Sequence, residues 1–292
     1  MGRLACEPNG MDRFLVYRIA RPRLDEAPMK TPLTRSVLGA TFMIVAAMLS
    51  TVTVAADQQF TGYARARADG KLLYVESHHV RRAGEVGETR IVMYRCSADG
   101  PAFARKELTY GSSRETPEFT FTDARSGYVE GLRRTAEGPR VFQQDGPKSP
   151  RREAKAPTDA ALVSDAGFDE FVRKHWTALE AGKTVRFPFL IPSRLDYLTF
   201  KVKKHGETKI EGATASVIRL NLSGVFGWFL PYIEVTYRKS DRLLKRYEGL
   251  TNIRGEDGRN LVATIEFPSR DRRSGTQSDF VKLRAEPLVP RC

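Results

Sequence analysis

Of the four histidines, only one has a carboxylate at a spacing that a β-strand would turn into proximity. Glu76 and His78 stand two residues apart in KLLYVESHHV. Side chains alternate between the faces of a strand, so this pair shares one face and His79 points to the other. Together they could act as acid and base, or as two metal ligands if Glu130 or Glu234 arrived from another strand. The plainer reading is a solvated polar face. His175, beside Trp176, and His205, in the turn KKHGETK, have no matching acid. Ser112, Ser113 and Ser223 lie near glycines without a GxSxG elbow, and GEDGRN (255–260) reads as a hairpin turn rather than a phosphate loop. No motif specifies a reaction, and none calls for a cofactor or a metal.

The apolar residues offer a different chemistry. SGVFGWFLPYIEVTY (223–237) places Phe226, Trp228, Phe229 and Leu230 in a bend marked by Gly224, Gly227 and Pro231, where polar residues are usual. These side chains either fold onto the core or form the mouth of a ligand site or a membrane-touching loop. Phe187, Phe189 and Phe200 alternate with polar residues nearby, as do Leu198, Val202, Ile218, Leu220 and Leu222. A curled sheet would line its concave face with them, either as core or as a pocket for an acyl chain.

The elements that must position these residues are mostly strands. From Phe60 to Phe142, β-branched and aromatic runs are separated by turn signals such as Asp69-Gly70 and Asp99-Gly100. Residues 144–161, QDGPKSPRREAKAPTDAA, read as a linker or exposed loop. DAGFDEFVRKHWTALEAGK then predicts a helix over about 165–181, with Asp165 as N-cap, Phe168, Phe171, Val172, Trp176 and Leu179 on one face, and Gly182 closing it. Alternating strands follow to a last strand, DFVKLRAE. Eleven to thirteen strands and one helix predict a mainly β fold. Its form is a large curled antiparallel sheet, a half-barrel or open barrel, covered by one main α-helix.

Ahead of this single domain (57–292) lies a segment of a different kind. Residues 36–56 carry no charge, follow Lys30 and Arg35, and end in Val54-Ala55-Ala56. Basic, apolar, then small is the order of a signal peptide, so residues 1–56 read as a leader cleaved after Ala56. Translation starting at Met29 would give it an ordinary length and leave residues 1–28 untranslated. The alternative is an uncleaved anchor that holds the domain at the inner membrane. Without the leader, two cysteines remain, Cys96 and Cys292, enough for one disulfide in an oxidising compartment. The charge is +13 for the whole chain and +10 for residues 57–292, which favours anionic partners.

The order of strand meander, helix and strand meander behind a leader resembles the periplasmic lipoprotein-carrier and receptor half-barrels, and related exported β-rich proteins of unknown function. That resemblance implies a concave face that holds a lipid. The combined expectation is a monomeric, periplasmic, non-catalytic binder or carrier of an amphiphilic or anionic ligand: a lipid, lipopolysaccharide or acylated protein. Nucleic acid is not expected as a partner, and peripheral membrane contact fits the charge. The alternatives are an envelope hydrolase or metal-dependent enzyme using Glu76 and His78, and a structural or assembly partner that offers an edge strand or the aromatic bend to another envelope protein.

Overall fold

Tight turns at residues that accept positive φ set the strand order. Gly70 (φ 72°) turns β1 (Gln58–Ala66) into β2 (Leu72–Ala83), and Glu211 and Gly212 (φ 51° and 77°) join β10 (Asp196–Ile210) to β11 (Ala213–Leu222). The computed structural model describes residues 57–83, 87–157, 161–223 and 232–292. The expected leader lies outside them.

The first meander continues through β3 (Gly87–Arg95), β4 (Ala102–Tyr110), β5 (Glu118–Asp123), β6 (Tyr128–Thr135), β7 (Gly138–Gln144) and β8 (Arg152–Lys155). The second runs from β9 (Val185–Ile191) through β10 and β11 to β12 (Ile233–Arg238), β13 (Leu244–Arg254) and β14 (Asn260–Glu266). β1 pairs with both β2 and β14, which fuses the meanders into one antiparallel sheet with β8 and β9 at its edges. β15 (Arg273–Ser274) adds a short pairing to β1. The described strands number fifteen, more than expected, because two short ones, β8 and β15, carry no alternating apolar face. β8 also lies inside the stretch expected to be a loop.

The sheet rolls up without closing. Leu190 of β9 shares one core with Phe119, Leu132 and Val141 of β5 to β7, and the turn Pro192–Arg194 touches β6 and β7. The β9 edge is thus tucked against the first meander. Val163 bridges Phe189 in parallel, covering backbone groups that an open edge would leave free.

Among the described residues, not one α-helix but three accompany the sheet. The expected helix is broken at His175 into α1 (Gly167–Lys174) and α2 (Trp176–Glu180). The break lets the apolar stripe follow a curved surface: Phe171 meets Phe187 of β9, while Trp176 meets Tyr237 of β12. Its N-cap is Ala166, because Asp165 is held at φ 44° with its carboxylate on Lys106, 2.6 Å away. Gly182 closes α2 as expected, donating its N–H to Leu179.

The expected last strand is instead α3 (Gln277–Ala285), started by a capping box between Thr276 and Asp279. Phe280, Leu283 and Leu288 pack on Ile91, Met93 and Ala102, on the opposite face of the sheet from α1. The tail then runs back along β3 and β4, where both guanidinium nitrogens of Arg95 meet the Glu286 carboxylate (2.6 and 2.7 Å). It ends in a disulfide between Cys292 and Cys96, 196 residues apart in sequence. Cys292→Ser is expected to lower stability by about 2–5 kcal/mol, the usual effect of losing a native disulfide. Urea unfolding checks this: wild type in reductant should match the variant.

Candidate functional site

Alternation in β9 and β10 turns Phe187, Phe189, Leu198, Phe200 and Val202 toward α1. Phe187 is fully buried, with its ring centre 4.3 Å from that of Phe171 and 5.8 Å from that of Phe168. Phe189 and Phe200 meet edge to face at 5.9 Å, and Phe189 meets Phe168 in the same way at 6.5 Å. Phe168, Phe189, Leu198 and Phe200 remain half-buried. The cluster therefore has a sealed floor at Phe187 and an accessible rim. Leu222, opposite Phe200 in β11, extends the rim. The other expected ligand-binding residues, Phe226, Trp228, Phe229 and Leu230, lie outside the described residues.

A network of charge rooted in the buried Glu88 and Arg90 holds the helix that forms the rim. Glu88 receives Arg90 (3.1 Å) and Arg114 (3.0 Å), and Arg114 also reaches Glu170 of α1 (3.3 Å). Arg173 bonds Glu170 (2.9 Å), and Tyr237 donates to Asp169 (2.7 Å). Burial pushes the Glu88 carboxyl up, but Arg90 and Arg114 outweigh it and hold the group below the ordinary glutamate value. Sequence reasoning missed this network, since its members lie on strands and a helix far apart in the chain. Its only local trace is the pair Glu88 and Arg90 at buried positions of β3.

Glu76 and His78 do meet, with Oε2 2.9 Å from Nε2. The imidazole stacks on Phe60 (4.4 Å, 11°) and takes the edge of Phe267. Burial lowers its pKa despite Glu76, which favours the neutral ring. His79 points to the opposite face, fully buried beside Phe280 of α3, with Asp57 3.9 Å from its Nε2. The third groups do not arrive. Glu130 accepts from Tyr128 (2.7 Å) and Glu234 from Arg219 (2.9 Å), and among the described residues no group of three His, Cys, Asp or Glu side chains is arranged to hold a metal.

Fold and site together define a rolled antiparallel β-sheet protein with a helix laid over an aromatic rim. No family model matches the chain, and no curated protein does. Solved structures similar to it include a β-barrel-like protein of the domain of unknown function DUF1849 from Brucella abortus (8% identity, TM-score 0.43, 73% of this chain and 98% of that one). Another is a DUF1329 family protein from Desulfovibrio piger (11%, 0.27, 81% and 93%). A third is an outer membrane lipoprotein-sorting protein domain from Vibrio parahaemolyticus (9%, 0.29, 80% and 92%).

Proposed function

We propose that this chain is a cell-envelope protein, exported by its leader, that binds the acyl part of an amphiphilic ligand at the aromatic rim. The observation that carries the reading is the half-buried rim of Phe168, Phe189, Leu198 and Phe200 above the sealed floor at Phe187. The magnitudes favour the rim over a cavity beneath the whole helix. Lifting α1 and α2 would expose Phe171, Val172, Trp176 and Leu179, at a cost of roughly 6–12 kcal/mol. An acyl segment of about ten methylenes returns roughly 8 kcal/mol. Displacing Phe168 alone leaves a surplus. Binding at the rim is also non-catalytic, in keeping with a Glu76–His78 pair packed between Phe60 and Phe267.

Solvent extraction of protein purified from its native envelope, followed by mass spectrometry, tests the reading together with titration of a fluorescent fatty-acyl probe. Co-purified lipid and saturable uptake are expected. Phe200→Asp should weaken uptake at least tenfold, because it puts a carboxylate where the chain would lie. Absence of both lipid and uptake in the wild-type protein rejects the proposal.

A further inference from the structure

On the other face of β10 from Phe200 and Val202, alternation places Tyr197, Thr199, Lys201, Lys203 and His205, all exposed. Sheet register sets cation against cation there. Lys201 lies opposite Arg186 of β9, and Lys203 opposite Arg219 of β11. Like charges directly across a sheet are destabilising, and native surfaces relieve them with interspersed carboxylates. Here Arg219 has one, Glu234 at 2.9 Å. Among the described residues, no carboxylate comes within ion-pairing distance of Arg186, Lys201 or Lys203. Between these strands lies a groove of about 290 Å³, lined by Thr184, Lys201, Lys203, Lys204, His205, Arg219 and Asn221, of which Lys204 is paired with Glu180 at 3.0 Å.

We propose that this face is an electrostatic dock for an anionic phospholipid surface. Clustered, unneutralised cations complement closely spaced phosphates, and the groove has room for a head group. Two exposed tyrosines distinguish a membrane from a soluble anion. Tyr197, 42% exposed, precedes the basic row, and Tyr232, 37% exposed, lies against the Arg219 guanidinium at 4.1 Å from the ring centre. Rings with one apolar and one polar end settle at the head-group level of a bilayer, beside lysines and arginines. The dock uses the face of the sheet away from the aromatic rim, so it does not depend on the rim binding a ligand.

Co-sedimentation with vesicles tests it. The full chain is expected to bind vesicles of mixed phosphatidylglycerol and phosphatidylcholine, to bind phosphatidylcholine vesicles at least tenfold more weakly, and to lose binding as salt rises. Lys201→Glu/Lys203→Glu should cut binding to the mixed vesicles at least tenfold while the thermal midpoint holds or rises, because each glutamate then faces an arginine across the sheet. If that variant fails to fold, Lys201→Gln/Lys203→Gln replaces it, with several-fold loss expected. Phe200→Asp should bind the mixed vesicles as wild type does, which separates failure of this proposal from failure of the rim. Equal binding to both vesicles overturns the dock, as does wild-type binding by a folded Lys201/Lys203 variant. Saturable binding of inorganic phosphate, or of an oligonucleotide, in preference to the mixed vesicles also overturns it.

Discussion

Phe187→Ala is expected to destabilise the protein by about 3–5 kcal/mol, near the upper end for a single core truncation. The ring is 1% exposed and is surrounded by the rings of Phe168, Phe171, Phe189 and Phe200. Aromatic neighbours on a sheet and a helix collapse poorly around a void, so most of the cavity cost persists. The urea midpoint should fall with an unchanged m-value. Phe200→Ala, at the half-buried rim, should cost clearly less. Equal losses at the two positions would contradict the division between a sealed floor and an accessible rim on which the proposed function depends.

Glu88→Ala is expected to cost a similar amount, about 3–5 kcal/mol, for a different reason. It leaves Arg90 buried without its carboxylate, with Arg82 and Arg114 still close by. The pH dependence follows from the depressed folded pKa. The unfolded chain takes up the Glu88 proton first as pH falls, so the carboxylate stabilises fully above the unfolded glutamate value near 4.5. That contribution fades as pH drops through the folded value. In the wild type, acid should loosen α1 early, and the Glu88→Ala variant should lack that component. Glu130 supplies a contrast. Burial raises its pKa against the Tyr128 hydrogen bond and Lys106, so its ionisation costs stability as pH rises past the unfolded value. Glu130→Gln keeps an acceptor for Tyr128 and should be neutral or stabilising at pH 7. Thermal denaturation of both variants across pH 3–8 checks the two signs.

Much of the local structure could be read from the sequence. Asp-Gly turns, period-two alternation in β9 to β12 and the apolar stripe of residues 168–179 are short-range patterns, and a strand or helix displays them wherever it docks. The alternation also predicted that His78 and His79 part to opposite faces. Less visible was α3, although Thr276 and Asp279 form a capping box and Phe280 and Leu283 sit three apart. Its apolar residues are few enough to read equally well as a strand, and only the patch of Ile91, Met93 and Ala102 settles the choice by offering a surface to a helix.

The sequence by itself determined that this is a basic, mainly antiparallel β protein with one candidate acid and base pair and with aromatic residues concentrated between Phe168 and Phe200. Only the tertiary structure decided where those features stand. Pairing of β1 with β14, and the return of Leu190 to the core of β5 to β7, roll the sheet so that one face of β10 meets a helix and the other carries unneutralised lysines. The physical reason is that alternation assigns residues to a face but not to an environment. Whether a face is core, rim or open surface depends on long-range burial and on the charges that distant strands and helices bring to it.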